Sequence, residues 1–282
     1  MTQTKVAPKV FDITDELASL DEQANLRLVL QNKNLPNVSA QTLEKEREKL
    51  DTLENRATPL TKQIIEHMFN LHTQFNDMLA QKLADGKITQ EGYARFLIQA
   101  WYHTRYTPEF ESVFGKKLSE YIQSHSDKAE FEKGNKFILH VEAGVDEEAG
   151  HELWAIQDLK SLGCTQFNTT EDVLPQTKAL IGTQFDRLNR LNFKGFLGYS
   201  FYLEFWVAKY SLFQLELLES IGIPRSSQSF VYNHYVVDQG HAFDNIELLN
   251  FVIESQADVE EVIENMNIIH TLYYQMVSNS FV

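Results

Sequence analysis

Two histidines and an aspartate interrupt an apolar segment near the C-terminal end of the chain. His234, Asp238 and His241 follow one another at intervals of four and three residues, which places all three on one face of an α-helix. Their neighbours are largely apolar, so we expect a buried helix, in which such groups without partners cost several kcal/mol. A metal ion would remove that cost by using their lone pairs. A His–Asp hydrogen bond beside an unrelated surface histidine is the alternative.

A second set of metal-competent residues lies earlier in the chain. His151 follows Glu148 by three residues and Glu147 by four, so either carboxylate lies on the same helical face as the imidazole. His140 lies about three turns before His151 and shares that face. A Glu-x-x-His pair is the ligand unit of carboxylate-bridged di-iron bundles. A solvated acidic face is the alternative interpretation.

Glu204 is the one charged residue between Phe196 and Ala208. A carboxylate in such an apolar segment must be protonated, hydrogen-bonded or coordinated to a metal. A structural hydrogen bond to a tyrosine is the alternative.

The three segments together offer three histidines and at least three carboxylates. Oxygen and imidazole ligands without a thiolate suit iron or manganese, and six or seven ligands are enough for two ions.

The elements that must position these residues are predicted to be helices. Glycine and proline together number 18 among 282 residues, and apolar residues recur at helical spacing. We predict an all-α bundle of seven helical segments over residues 59–282, and no sheet. Residues 1–58 form an N-terminal extension, of which the charged stretch 39–56 is predicted to be a solvated helix or arm; an arm that clasps a partner subunit is the alternative. The predicted helical segments are 60–84, 89–120 with a break near Thr107–Pro108, 128–162 closed by Gly163, 174–191, 194–220, 226–255 and 258–280 with Asp258 as a cap.

Composition excludes several classes of function. The net charge of −15 argues against binding to nucleic acid or to an anionic membrane surface, since both require a basic surface. The longest apolar stretch, Phe196–Ala208, is shorter than the roughly 20 residues that span a bilayer. The first residues lack the pattern of a secretory signal, and the single cysteine, Cys164, allows no internal disulfide. We expect a cytoplasmic protein.

The ordered pattern of these motifs resembles the haem-oxygenase-like di-iron oxidases over about residues 60–282. The resemblance implies a seven-helix haem-oxygenase fold that binds two Fe(II) ions, with manganese as the alternative metal. Relatives with the carboxylate three residues before the histidine favour Glu148 over Glu147 as a ligand. Some relatives recruit a further glutamate from the preceding helix, for which Glu109 and Glu111 are the nearest candidates here. The motifs are Asp146-Glu147-Glu148-x-Gly150-His151, then Glu204, then His234-x3-Asp238-x2-His241, and the implied ligands are Glu148, His151, Glu204, His234, Asp238 and His241.

The same resemblance implies an oxidase or oxygenase with O2 as its co-substrate. It implies desaturation, C–C cleavage or N-oxygenation of a small carboxylate, amino-acid or fatty-acid-like substrate. An external electron donor and a homodimer are further expectations. We expect aromatic side chains near the ligands to line the substrate pocket, and Arg105 or Lys194 to bind a substrate carboxylate. The expected pocket residues are Trp154, Tyr199, Phe201, Phe205 and Tyr235.

Two other functions are compatible with such a bundle. Thiaminase-type and quinone-forming relatives use the same fold without a metal. The thiaminase reaction needs a nucleophilic cysteine in the pocket, whereas Cys164 follows Leu162 and Gly163 and is expected in a loop. A non-enzymatic helical binding protein, in which the polar clusters are structural networks, is the other alternative. A measurement of iron binding would distinguish a di-iron enzyme from both of these alternatives.

Overall fold

The computed structural model describes residues 10–13, 40–125 and 128–282, and most of these residues are α-helical. Within these ranges there are ten α-helices, one short 3₁₀ helix and a two-stranded antiparallel sheet. The elements are β1 (Val10–Asp12), α1 (Ala40–Arg56), α2 (Pro59–Ala84), α3 (Gln90–Thr104), α4 (Thr107–His125), α5 (Lys128–Glu148), α6 (Glu152–Ser161), β2 (Gln166–Asn168), α7 (Pro175–Asn189), α8 (Phe193–Ser220), the 3₁₀ helix (Arg225–Ser227), α9 (Ser229–Val252) and α10 (Gln256–Ser280).

Capping residues account for the starts of the long helices. The Thr58 hydroxyl accepts a hydrogen bond from the Thr61 amide, and Pro59 occupies the first turn of α2, where its missing donor is not needed. Ser255 and Asp258 form a capping box at the start of α10. Asp258 therefore takes part in the cap, as predicted, although Ser255 is the N-cap residue.

Two of the seven predicted segments are each divided into two helices. The predicted break near Pro108 is confirmed, since α3 ends at Thr104 and α4 begins at Thr107. The prediction of one continuous helix over 128–162 is wrong, because the chain leaves helical geometry between α5 and α6. Gly150 has a φ of 92°, a left-handed conformation that glycine adopts without a steric penalty. The nine helices described between residues 59 and 282 are thus the seven predicted segments with two breaks.

Helix α8 is the central element of the bundle and packs against α9, α10 and α7. Its 28 residues span about 42 Å. Phe201 and Phe205 have no exposed surface, and each contributes roughly 1.5–3 kcal/mol by leaving water. Because other helices cover most of α8, its stretch Phe196–Ala208 is apolar apart from Glu204 and a few neutral polar residues. Around it, α3 packs on α6, α4 on α5, and α2 on α10.

The helical part of the N-terminal extension, residues 40–56, packs on the bundle. Helix α1 lies against α9, and its Leu50 is completely buried. The ammonium group of Lys209 on α8 pairs with the carboxylates of Asp51 and Glu54. The segment is thus a largely exposed helix, one of the two predicted forms, and its buried Leu50 docks it on the bundle.

The small sheet was not predicted. Strand β1 pairs with β2 antiparallel, with Phe11 opposite Phe167. The Phe11 ring also contacts the ring of Trp101 on α3, at a centroid distance of 4.4 Å. Three-residue strands are too short for an alternating pattern to show in the sequence. None of the helices in the described ranges is long and apolar enough to cross a membrane.

Candidate metal centre

Three ligand-type side chains from three helices converge in the middle of the bundle. Glu148 ends α5, Glu204 lies in the middle of α8, and His241 lies on α9. One carboxylate or imidazole atom of each lies within 4.8 Å of the corresponding atoms of the other two. The packing of α8 against α9 and of α5 near α9 brings them together. Such spacing is suited to shared metal ions.

The two adjacent glutamates have different environments. Glu148 is buried; its Oε2 lies 3.0 Å from Nδ1 of His151, and its Oε1 lies 3.3 Å from Nδ1 of His241. The side chain of Glu147 is 57% exposed, and its Oε2 lies 3.3 Å from Nε2 of His241. Glu148 therefore lies inside the cluster and Glu147 at its outer edge.

The break between α5 and α6 positions His151. Because Gly150 turns the chain there, His151 lies at the N-terminus of α6 instead of inside a continuous helix. Its ring stacks on Trp154 at a centroid distance of 4.2 Å and meets the His234 ring edge-on at 5.1 Å. The two aromatic contacts fix the orientation of the imidazole.

Helix α9 supplies the largest share of the cluster. Asp238 is buried, and its Oδ1 lies 3.2 Å from Nδ1 of His241. Nδ1 of His234 is 2.8 Å from the Phe230 carbonyl oxygen, so it carries the proton and leaves the lone pair on Nε2. The amide of Asn245 donates a hydrogen bond to Glu204.

Glu111 on α4 is a further carboxylate at this site. Its Oε2 is buried and has no hydrogen-bond partner in the described part of the chain. A Cβ placed on Gly144 of α5 would lie 2.5 Å from Oε1 of Glu111, so the glycine provides the space that this carboxylate occupies. Burial and the nearby carboxylates of Glu148 and Glu204 raise the pKa of Glu111 to about 9.

Four other side chains of the cluster, Glu148, Glu204, Asp238 and His241, also have shifted pKa values. Burial raises the pKa of Glu204 well above its usual value and that of Asp238 to about 7. Burial opposes the ionisation of Glu148 too, but the neighbouring His151 and His241 outweigh it and lower the pKa. Burial would lower the pKa of His241, but hydrogen bonds to Asp238 and Glu147 raise it well above normal. A protonated His241 thus supplies the positive charge that the carboxylates attract.

The donor set fits a pair of iron ions. Glu111, Glu148, Glu204 and Asp238 can supply four negative charges, which balance the four positive charges of two ferrous ions. Imidazole and carboxylate ligands without thiolate suit iron. The unpartnered Oε2 of Glu111 and the raised pKa values of Glu111 and Glu204 indicate that the carboxylates of the cluster outnumber the cationic groups described around them.

Comparison with known proteins assigns the family. Residues 94–274 match the family described as iron-containing redox enzyme. This range contains every candidate ligand described above, from Glu111 to His241. The chain belongs to that family. No curated protein matches the chain significantly.

Solved structures confirm the haem-oxygenase-like fold of this iron-containing redox enzyme. A domain of unknown function with a heme oxygenase-like fold from Shewanella denitrificans OS217 is similar with a TM-score of 0.57 and 20% identity, over 87% of this chain and 93% of that chain. A TenA homolog from Pseudomonas syringae pv. tomato DC3000 is similar with a TM-score of 0.62 and 13% identity, over 80% of this chain and 94% of that chain. At these identities the similarity concerns the fold.

The ligand cluster of this family member lies between two cavities, each of about 70 Å³. Glu148 and Glu204 line both of them. On one side the walls are mostly apolar, and we call this space the apolar cavity; Phe96, Leu203, Trp206, Val207, Phe230 and Val231 line it. On the other side the walls are polar, and this acidic cavity is lined by Glu111, His140, Glu147, Asp244 and Asn245.

The structure brings only some of the expected pocket residues to the described cavities. Tyr199 lines the apolar cavity, and its hydroxyl is 3.4 Å from that of Thr107. Trp154 lines neither cavity; its ring stacks on the His151 imidazole and meets the His234 imidazole edge-on. Phe201, Phe205 and Tyr235 are buried elsewhere in the bundle.

Neither expected carboxylate-binding cation lines the apolar cavity. Arg105 is exposed, with its guanidinium 4.9 Å from the Trp101 ring centre. Lys194 pairs with Asp258 at 2.8 Å. Arginine stacks readily on aromatic rings, which explains the position of Arg105 among the aromatic residues at the end of α3.

Sequence reasoning missed Asn245 and left Glu111 unresolved. Asn245 continues the series of His234, Asp238 and His241 by four residues, so the helical period could have identified it. Glu111 has no comparable signal, because its place depends on how α4 packs against Gly144 of α5.

Proposed function

We propose that this iron-containing redox enzyme is a non-haem di-iron oxidase or oxygenase that uses O2 to oxidise a small organic substrate. The observation that carries the proposal is the convergence of Glu148, Glu204 and His241, whose ligand atoms lie within 4.8 Å of one another although they come from three helices. Two buried and two half-buried carboxylates around one site need cations, and the family is one of iron-containing enzymes.

Seven side chains would hold the two ions. Glu148, with Glu147 outside it, is the better placed of the adjacent pair. Glu111 completes the carboxylate set that the resemblance left open. With four carboxylates the site is neutral, instead of carrying the single positive charge expected from three. The proposed ligands are Glu111, Glu148, His151, Glu204, His234, Asp238 and His241.

Bound ferrous iron would supply the electrons and the coordination positions for O2. The protein's part is to hold the ligands and to control access. The Asn245 amide fixes the Glu204 carboxylate, and the Phe230 carbonyl fixes the His234 ring. Leu203 and Val207, on the face of α8 that carries Glu204, line the apolar cavity and limit the entry of water.

The apolar cavity is the proposed substrate site. None of the described residues that line it is a lysine or an arginine. A substrate carboxylate or amine would therefore be bound by the metal ions or by their acidic ligands, not by a basic side chain. Amino-acid-like and short fatty-acid-like molecules fit these walls. An external electron donor would be the further partner of such a site.

The experiment is to mix the anaerobically iron-loaded protein rapidly with O2. We expect a transient visible absorption band and O2 consumption that depend on iron. The matched variant Glu204→Gln retains the size of the side chain but removes its charge, and it should abolish the band. An iron-loaded protein that consumes no O2 in the presence of reductant would refute the oxidase function.

The thiaminase-like alternative lacks a nucleophile in the site. Cys164, the single cysteine of the chain, lies between α6 and β2, and its Sγ is 3.8 Å from the Gln166 carbonyl oxygen. It lines neither the apolar nor the acidic cavity. Burial raises the pKa of its thiol, which makes it a poor nucleophile.

A further inference from the structure

Three polar side chains of the apolar cavity have buried atoms without partners. His103 on α3 is 6% exposed, and neither ring nitrogen has a hydrogen-bond partner among the described residues. Ser211 on α8 is completely buried with its hydroxyl unpaired, and the Nε2 of Gln214 is buried and unpaired as well. All three line the apolar cavity.

These groups do not stabilise the fold. A buried donor or acceptor that has lost water without gaining a partner costs free energy, and an apolar side chain of the same shape would be neutral or better. A ligand that supplies the missing hydrogen bonds would remove the cost. Unpaired polar atoms that line one cavity together therefore indicate a binding surface.

Two of the three residues lie beyond Glu204 along α8. Ser211 and Gln214 follow Glu204 by seven and ten residues, or by about 10 Å and about 15 Å along α8. Next to Gln214, Phe96 of α3 lines both the apolar cavity and an adjoining apolar pocket. His103 lies on α3 between Phe96 and the end of that helix.

The site is uncharged. Burial lowers the pKa of His103 to about 4, so its imidazole is neutral and offers one donor and one acceptor. The Ser211 hydroxyl can donate and accept, and the Gln214 amide nitrogen donates. None of these three side chains can act as a counter-ion for a charged ligand group, whereas a neutral group with a donor and an acceptor would match them.

We propose, on the basis of the function proposed above, that His103, Ser211 and Gln214 hydrogen-bond uncharged polar groups of the substrate within the apolar cavity. The substrate class is a small, mainly apolar molecule with a carboxamide or hydroxyl group. The neutral site sets specificity, while the ligand cluster performs the chemistry.

The test compares three probes of nearly equal shape, namely hexanamide, hexanoate and hexylammonium. Their binding to the full-length protein without added iron is measured by ligand-observed NMR. We expect hexanamide to bind at least about tenfold more tightly than hexanoate, because hexanoate would bring an unpaired negative charge into a cavity that already holds acidic side chains. Hexylammonium can pair its charge with those acidic side chains, so its affinity should not change in the Ser211→Ala variant. The Ser211→Ala variant should weaken hexanamide binding about fivefold. Ser220→Ala is the matched control, because the Ser220 hydroxyl donates to the Leu217 carbonyl at the end of the same helix.

The His103→Leu variant separates binding from folding. It should weaken hexanamide binding about fivefold or more, while the melting temperature stays the same or rises because an unpaired buried group is removed. A structural role for His103 would instead lower the melting temperature and leave the preference for hexanamide intact, which would overturn the proposal.

Three further results would also contradict the proposal: no binding of hexanamide, equal affinities for the three probes, or a loss of bound iron in His103→Leu with unchanged hexanamide binding. Hexanamide binding to a protein that takes up no iron would support the neutral site and refute the di-iron function alone. The two proposals can therefore fail separately.

Discussion

Two polar clusters inside this protein differ in how completely their polar atoms are paired within the chain. The amide cluster consists of Gln184 on α7 and Asn265 on α10, which exchange hydrogen bonds of 3.1 and 3.3 Å. The Asn265 amide also donates to the Gly195 carbonyl of α8 at 2.8 Å. The candidate metal centre, in contrast, contains more carboxylates than its histidines can neutralise, and Oε2 of Glu111 has no hydrogen-bond partner within the described ranges.

The difference indicates a structural role for the amide cluster and a cation-binding role for the candidate metal centre. Neutral amides that pair with one another join three helices and need no ligand. Carboxylates that raise one another's pKa need a cation from outside the chain. The two clusters should therefore respond in opposite ways to substitution, with metal binding lost in one case and stability lost in the other.

The largest effect is expected from His241→Ala. His241 contacts Glu148 and Asp238 at 3.3 and 3.2 Å, so its removal should weaken iron binding by about 100-fold or more and leave at most one iron per chain. The measurement is iron content after anaerobic loading and desalting. His67→Ala is the matched control, because His67 is exposed and bonds Asn267 at the surface. Equal iron content in both variants would show that His241 is not an iron ligand.

Asn265→Leu should have the opposite pattern. It removes the donor to Oε1 of Gln184 and to the Gly195 carbonyl, at a cost of about 1–3 kcal/mol for a buried acceptor left unpaired, while the iron content should stay at the wild-type value. Thermal unfolding and iron analysis of the same preparation give both readouts. A loss of iron at unchanged stability would show that the amide cluster is not merely structural.

Iron binding should tighten as the pH rises. In the metal-free protein the pKa is about 7 for Asp238 and about 9 for Glu111, so both groups hold protons in weakly acid solution. Iron must displace those protons, and the affinity should rise by about tenfold per pH unit for each proton released. Anaerobic titrations from pH 6 to 8 at constant ionic strength measure the slope. A flat profile would mean that these carboxyl groups are not ligands.

Gly144→Ala tests the place of Glu111 without altering the glutamate. The new methyl group would displace the end of the Glu111 side chain, which is flexible, so stability should change little. We expect iron affinity to fall by about tenfold, as in Glu111→Gln. Gly182→Ala on α7 is the matched control, because a Cβ there meets no atom within 4 Å. Wild-type affinity in Gly144→Ala would exclude Glu111 as a ligand.

The smallest effect is expected from Glu147→Gln. Its carboxylate is mostly exposed and contacts the cluster at Nε2 of His241. Solvent screens such a contact, so iron affinity should fall by less than about threefold. A loss as large as that of Glu148→Gln would reverse the order of the two glutamates.

The sequence reveals the parts of the site that share a helix. His234, Asp238 and His241 lie on one face of α9 because the period of the helix places them there. The polarity of Glu204 within an apolar segment marks α8 as the partner helix. Long apolar segments and scarce glycine likewise predict the helical bundle correctly.

Features that depend on packing between elements are not visible in the sequence. The turn at Gly150 interrupts a segment with a continuous helical pattern, and only the backbone conformation reveals it. The entry of Glu111 beside Gly144 and the docking of Leu50 depend on helix–helix contacts. His103 is simply one histidine within an apolar helix until the cavity that surrounds it is known.

The most direct test of the central claim is an anaerobic titration of the metal-free protein with ferrous iron, in which bound iron is counted per chain. We predict about two tightly bound ions per chain, and a clear loss of both in a Glu148→Ala, Glu204→Ala double variant that still folds. No bound iron, or iron that remains in the double variant, would contradict a di-iron centre at this site.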